Sequence, residues 1–427
     1  MMLKNYYNGL NSNKILFFTT RQLCYHSAGF FAAQLADALE NAGYQCELCE
    51  IPEDGIAGEM REQAVPAKDT AAGEISPQAA AVLERYIGKE YAAVIDFNSK
   101  LPRLMCDDDT YYLDTIQAPF FNYILDNPLY HHATLQCPLQ RYHVLLVDEE
   151  HAAYVRKHYP HIQGTHMLSL GANEAVIGKA FEQKQENVLF MGTYRSPEIY
   201  LEQIRSQDMQ AQKEMLHMIE RIQAEPDLSV ERALRAVLEE QDRKISEEDF
   251  ALLMNTYYPV EMYLRNYDRE QLVTALVRAK IPVRIVGDWW ERYAYAAAPN
   301  LQLEQPVAFD RSFDKIAGSA VIADSSPFFK MGIHDRVFAG MANHTAVLTD
   351  ESPYRKKVFR TGQHILDTDC PVVLYSPANP QQACDMAEEL LINRGRRKDL
   401  VDKAYEMYQK EFTWNKVAER FVKLLTE

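Results

Sequence analysis

The stretch 325–350, SSPFFKMGIHDRVFAGMANHTAVLTD, holds the densest set of residues able to bind an anion. It reads as loop, helix, short turn and buried strand. Gly332 lets the loop approach a ligand closely, because it carries no side chain. The spacing predicts a helix that begins near Ile333 or His334 and runs to about Asn343. The start of such a helix offers unpaired N–H groups and about half a positive charge, a seat for a pyrophosphate. His334 and Arg336 fall in that first turn, where cations disfavour the helix itself. A bound anion would offset this cost, and arginine grips phosphate through two parallel hydrogen bonds. The competing use of Arg336 is an ion pair with Asp335 or Asp350.

Other strand ends carry chemistry as well. The run 187–191 (NVLFM) leads into Gly192, Thr193, Tyr194 and Arg195. The run 282–286 leads into Gly287, Asp288, Trp289 and Trp290. A nucleobase needs a flat apolar wall and an edge-reading hydrogen bond, and Trp289 or Trp290 could supply the wall; the same pair could instead pack neighbouring helices. The run 120–125 leads into Asp126, Asn127, Pro128, Leu129, Tyr130, His131 and His132. Asp126, His131 and His132 can each take a proton, the histidines with an ordinary pKa near ~6.5. Asp126-Asn127-Pro128 could also simply open a turn. At the first strand end, Thr19, Thr20 and Arg21, with Ser27 and Gly29, could shape a second pocket. Asp107, Asp108 and Asp109 read as a solvated acidic turn rather than a metal site, because no strand delivers them.

These residues need a frame to hold them, and the 427-residue chain is long enough for two domains. Short apolar runs alternate with helical spacing at 14–20 (KILFFTT), 44–51, 91–97, 120–125, 142–147 and 165–170, then again at 187–191, 282–286, 320–323, 345–348 and 364–367. Alternation of this kind makes parallel sheets covered by helices on both faces. The reading is an α/β protein with two Rossmann-like parallel-sheet domains facing a cleft. They span 1–175 and 186–410, with a helical insertion at 196–280 and a terminal helix at 411–427 that crosses back to the first domain. Ligands in such sheets sit at the carboxyl ends of the strands. The insertion could serve as a homodimer contact or an acceptor platform.

Composition excludes several classes. The net charge of -16 disfavours nucleic-acid binding, which draws its affinity from phosphate neutralisation. No run approaches the ~18 apolar residues that cross a bilayer, and the N-terminus lacks a signal-peptide core. Seven scattered cysteines fit reduced thiols in a cytoplasmic protein. Cys46 and Cys49 lie three apart in a strand, so they face opposite sides and make no redox pair. The strand at 14–20 is followed by no Gly-x-Gly dinucleotide fingerprint, and no P-loop is present.

The 325–350 block resembles the donor-binding segment of GT-B glycosyltransferases, in particular the group similar to spore-maturation-protein glycosyltransferases. Arg336, Val337, Phe338, Met341, Ala342, Thr349 and Asp350 match that pattern. Val286-Gly287-Asp288 matches as well, and Phe412-Thr413-Trp414 with Val417-Ala418-Glu419-Arg420 resembles the closing helix. The resemblance implies transfer of a sugar from a nucleotide-sugar donor to an acceptor, without metal or cofactor. It implies donor contacts at Gly192, Thr193, Tyr194, Asp288, Trp289, Gly332, His334, Arg336 and Asp350. It makes Asp126 the leading base for the acceptor hydroxyl, with His131 and His132 as alternatives. The sequence departs from the family at Ala339, where many members carry a ribose-binding Glu, and at Met331, where the partner Glu would fall; Asp350 and Glu351 are available substitutes. A GT-B-like binding or scaffold protein, or a nucleotide-sugar epimerase, would share this frame.

Overall fold

The computed structural model describes residues 12–20, 24–51, 75–359 and 370–426. They form two compact units. One holds the described residues up to Leu170, together with Ser246–Thr256 and the chain from Trp414 onward; the other holds Gly171–Ile245 and Tyr257–Thr413.

The first unit contains β1 (Lys14–Thr19), β2 (Gln45–Glu50), β3 (Ala93–Phe97), β4 (Phe120–Ile124), β5 (Tyr142–Leu146) and β6 (Gly164–Met167). They pair in parallel in the order β2-β1-β3-β4-β5-β6. The four central strands are buried over nearly their whole length. Helices on both faces of the sheet explain why these runs are apolar rather than alternating. The helix Ser27–Asn41 buries Phe31, Leu35 and Leu39. Its Phe31 ring lies 6.0 Å from Trp414 of the terminal helix Trp414–Thr426. That helix also sets Phe421 edge-on to Phe121 of β4. Cys46 and Cys49 sit on β2, and both are free thiols.

The second unit contains β7 (Gln185–Met191), β8 (Val283–Val286), β9 (Leu301–Glu304), β10 (Ser319–Asp324), β11 (Ala346–Asp350) and β12 (Val373–Tyr375). Again all pairs are parallel, in the order β12-β11-β10-β7-β8-β9. The helices Glu198–Arg205, Met209–Ala224, Val230–Glu240 and Tyr258–Arg278 fill the chain between β7 and β8. Asp208 and Ser229 cap two of them by accepting from first-turn N–H groups. A buried carboxylate locks the group: Glu214 accepts from Arg243 at 2.7 and 2.8 Å and from the Tyr257 hydroxyl at 2.6 Å.

The strand runs read from the sequence, apart from the one at 364–367, occur with ends shifted by at most three residues. Two strands escape that reading. β9 is a half-exposed edge strand without an apolar run, and β12 is three residues long. The strand expected at 364–367 and Arg21 lie outside the described residues. One insertion helix, Glu247–Thr256, belongs with the first unit, where Asn255 donates to the Leu129 carbonyl at 2.7 Å and Phe250 stacks on His158 at 5.2 Å. Among the described residues no helix is long and apolar enough to cross a membrane.

Candidate functional site

In the second sheet the chain runs outward from β7 through β8 to β9, then returns to place β10 on the other side of β7. The topological switch point therefore lies between β7 and β10, the crevice where open α/β sheets bind ligands. The loops after β7, β8, β10 and β11 leave from neighbouring strand ends. They carry Gly192 and Thr193; Asp288 and Trp289; Gly332, His334 and Arg336; and Asp350.

Two glycines bring the first two loops together. Gly287 has φ +159°, and a Cβ there would lie 2.1 Å from the Gly192 carbonyl oxygen. That oxygen also accepts from the Trp290 indole at 2.7 Å. Trp290 is only 1% exposed and packs on Phe190, Tyr194 and Tyr293. It is core, so of the two tryptophans only Trp289 can be a ligand wall. Trp289 is 39% exposed and has a left-handed backbone at φ +65°. The guanidinium carbons of Arg195 and Arg292 lie 5.2 and 5.6 Å from the centre of its ring. Strained backbone of this kind survives where surrounding structure enforces it, often at functional sites. Tyr194 corrects the sequence reading: its ring is buried and its hydroxyl donates to Glu270 at 2.8 Å, which turns the side chain into the core. Thr193 keeps its place on the loop, where its carbonyl accepts from Arg269 at 2.7 Å. Asp288 is half-buried, and its carbonyl accepts from the Tyr194 N–H at 2.9 Å.

The helix that the 325–350 block predicts occupies Asp335–Ala342, with His334 in the N-cap position. Gly340 seats it on the sheet, because a Cβ there would meet Val347 at 2.5 Å and Ile322 at 2.9 Å. The partner of the two first-turn cations is Asp324, at the end of β10. It accepts from His334 Nδ1 at 2.8 Å and Arg336 Nη1 at 3.0 Å, and from the Thr349 hydroxyl at 3.2 Å. The other His334 nitrogen, Nε2, lies 3.0 Å from Asp335. Burial alone would raise the Asp324 carboxyl, but His334, Arg336 and Arg355 outweigh it and hold it well below the usual carboxylate range. Arg336 thus finds a carboxylate, though neither of the two that its neighbours in sequence suggest.

Arg355, which the sequence reading did not single out, is 1% exposed and shapes the loop between β10 and the helix. It donates to the Ser326 hydroxyl and to the carbonyls of Phe329 and Gly332, each at 3.2 Å, and to Asp350 at 2.6 Å. Asp350 also accepts from the Ser326 N–H at 2.9 Å. A small pocket beside this clamp is lined by Asp268, Ser325, Ser326, Lys330, Asp350 and Tyr375, among others. Burial pushes the Asp268 carboxyl up to about 7, against the pull of Lys330.

In the first unit, Asp126 follows β4 and is half-buried; its carboxylate accepts from the Asn98 amide at 2.8 Å. His131 and His132, the alternative bases, are 5% and 7% exposed. The His132 ring bonds the Tyr159 hydroxyl at 2.8 Å, and burial lowers its pKa. The helix Glu247–Thr256 packs over this segment, a contact that no local pattern around the histidines reveals. Both are therefore core side chains, and Asp126 is the accessible proton acceptor of the three. Asp107, Asp108 and Asp109 lie exposed on a turn. Among the described residues no three His, Cys, Asp or Glu side chains are grouped to hold a metal ion.

Residues 265–423 match the protein-family model described as Glycosyl transferase-like. No curated protein matches the sequence. Solved structures do resemble the chain. Sucrose-phosphate synthase from Thermosynechococcus elongatus is 10% identical with a TM-score of 0.52, covering 96% of this chain and 98% of that one. An alpha-glucosyltransferase in complex with UDP and a 13-mer DNA containing a central A:G mismatch is 10% identical with a TM-score of 0.55, covering 98% and 100%. HepE from Anabaena, in complex with UDP and glucose, is 11% identical with a TM-score of 0.52, covering 97% and 99%. At such identity the likeness establishes the fold: two six-stranded parallel sheets of the GT-B type.

Proposed function

We propose that the protein is a glycosyltransferase that moves a sugar from a nucleotide-sugar donor to an acceptor hydroxyl, without a metal ion. The observation that carries the reading is the convergence of Gly192, Trp289, His334 and Arg336 on the switch point of the second sheet, within a GT-B fold. The family match over 265–423 and the UDP complexes of two structural relatives support it. The match of Arg336, Val337, Phe338, Met341 and Ala342 supports a place near the spore-maturation-like group.

In this reading the diphosphate lies against the start of Asp335–Ala342. Arg336 and His334 balance the charge that grows on the leaving group as the bond to the anomeric carbon breaks. Asp126 takes the proton from the acceptor hydroxyl, whose oxygen forms the new bond, and the nucleoside diphosphate leaves with the old bonding pair. Asp324 holds the two cations in place before the donor arrives.

Arg336→Ala is expected to lower transfer on the order of 100-fold or more. Folding should survive, because His334 and Thr349 still satisfy Asp324. Screening UDP-, GDP- and dTDP-sugars by thermal shift, then assaying nucleoside diphosphate release with and without EDTA, tests the whole reading. Near-normal turnover in Arg336→Ala removes the site assignment, and loss of activity with EDTA removes metal independence. Ala339, where the family's ribose-binding Glu is missing, and Met331, where its partner Glu would fall, favour a second reading as a nucleotide-binding scaffold; it predicts a thermal shift with no turnover.

A further inference from the structure

Asn98 lies just past β3, is 2% exposed, and has a left-handed backbone at φ +47°. Its backbone N–H donates to the Tyr123 carbonyl at 3.0 Å. Its side-chain oxygen accepts from the Leu125 N–H at 2.8 Å, and its side-chain nitrogen donates to Asp126 Oδ2 at 2.8 Å. The Leu125 bond settles which end of the amide is which, since only the oxygen can accept from an N–H. The NH2 must therefore face the carboxylate. Next door, the Ser99 N–H donates to Asn122 Oδ1 at 3.0 Å, which fixes the turn that presents Asn98. Among the described residues no other donor reaches the Asp126 carboxylate.

We infer that Asn98 is the positioning residue for Asp126: it pins one carboxylate oxygen and leaves the other to take the acceptor proton. This rests on the reading of Asp126 as the base. A neutral donor suits the task. It orients the carboxylate without the strong loss of basicity that an arginine or lysine at the same distance would cause. The left-handed backbone is part of the device, because asparagine tolerates that conformation better than most residues.

The test uses the full-length chain and donor hydrolysis, in which water is the acceptor, with UDP-glucose, UDP-N-acetylglucosamine and GDP-mannose as probes. Asn98→Asp keeps the size and the acceptor for Leu125 but replaces the donor with a second carboxylate oxygen. Asn98→Gly keeps the backbone conformation and removes the side chain. Both are expected to lower kcat on the order of 10- to 100-fold while KM for the donor stays within about twofold. A purely structural Asn98 would leave Asn98→Asp close to wild type. In parallel, the side-chain amide signal of Asn98 in a nitrogen-15 spectrum should move on Asp126→Ala, which reports the contact without turnover. A working wild type with an equally working Asn98→Asp, or an amide signal indifferent to Asp126→Ala, overturns the inference and leaves the transferase reading standing. A wild type that turns over no donor sinks both.

Discussion

At the switch point of the first sheet, between β1 and β3, Asp96 is fully buried and, among the described residues, held only by neutral groups. It accepts from the Thr20 hydroxyl at 2.5 Å, the Ser99 hydroxyl at 2.6 Å and the Phe97 N–H at 2.8 Å. At the switch point of the second, between β7 and β10, Asp324 is equally buried but faces His334 and Arg336. One carboxyl is pushed up to about 7 by burial, against hydrogen bonds from neutral groups; the other is held well below its ordinary value. In the first crevice the Thr20 hydroxyl thus joins the end of β1 to that of β3. The second is an ionic cluster whose cations could be lent to an anion. The same strand topology gives one unit a stapled edge and the other a charged one, and the difference is a matter of which residues end the strands.

The sharpest way to break this contrast is Asp324→Asn. It leaves Arg336 and His334 without their carboxylate, and the loss is about 3 kcal/mol, as for other broken buried pairs. The sign follows from the lowered value. The contribution is complete above an ordinary carboxyl value of 3.8 and fades as pH falls below about 4. The gap between wild type and variant in urea melts should therefore narrow from pH 7 to pH 3; a constant gap would contradict the assignment.

Next in size is Gly287→Ala. Its Cβ cannot share space with the Gly192 carbonyl, so one loop must move, at about 1–3 kcal/mol of strain. Nucleotide affinity should fall with stability, and calorimetric titration with UDP reads it directly. Unchanged affinity in a folded variant would detach the Gly192 loop from the donor.

The smallest effect, and the one that separates the two crevices most cleanly, is Asp96→Asn. Asp96 is raised above its unfolded value of 3.8, so the wild type carries a penalty that grows as pH rises from about 4 through 7. Between pH 5 and pH 8 the stability gap should move toward the variant by about 1 kcal/mol or more, opposite in sign to Asp324→Asn. Thermal melts across that range decide it.

Most of the frame is legible without coordinates, because buried parallel strands are written as apolar runs and helices as 3.6-residue spacing. β9 and β12 are missed for the same reason: a half-exposed edge strand and a three-residue strand carry too little pattern. The 325–350 block was legible as a unit of loop, helix and strand, with its helix starting at Asp335, one or two residues later than read. Arg355 could have been suspected from its place five residues after the strand-end Asp350, yet nothing local says that it would be buried under four hydrogen bonds. Tyr194, Trp290, His131 and His132 were candidates by residue type and proved to be core.

Local order alone determined most of the strands, that the sheets are parallel, and which candidate residues follow the strand ends. These follow from periodicity and from glycine, proline and capping residues, all short-range properties of the chain. The tertiary structure decided which polar side chains stay accessible and who pairs with whom. Asp324 lies 12 residues from Arg336 and 25 from Thr349, and Asn98 lies 28 from Asp126. Such partners meet only once neighbouring strands are in register, because burial and charge compensation depend on distances in space that no window of sequence contains.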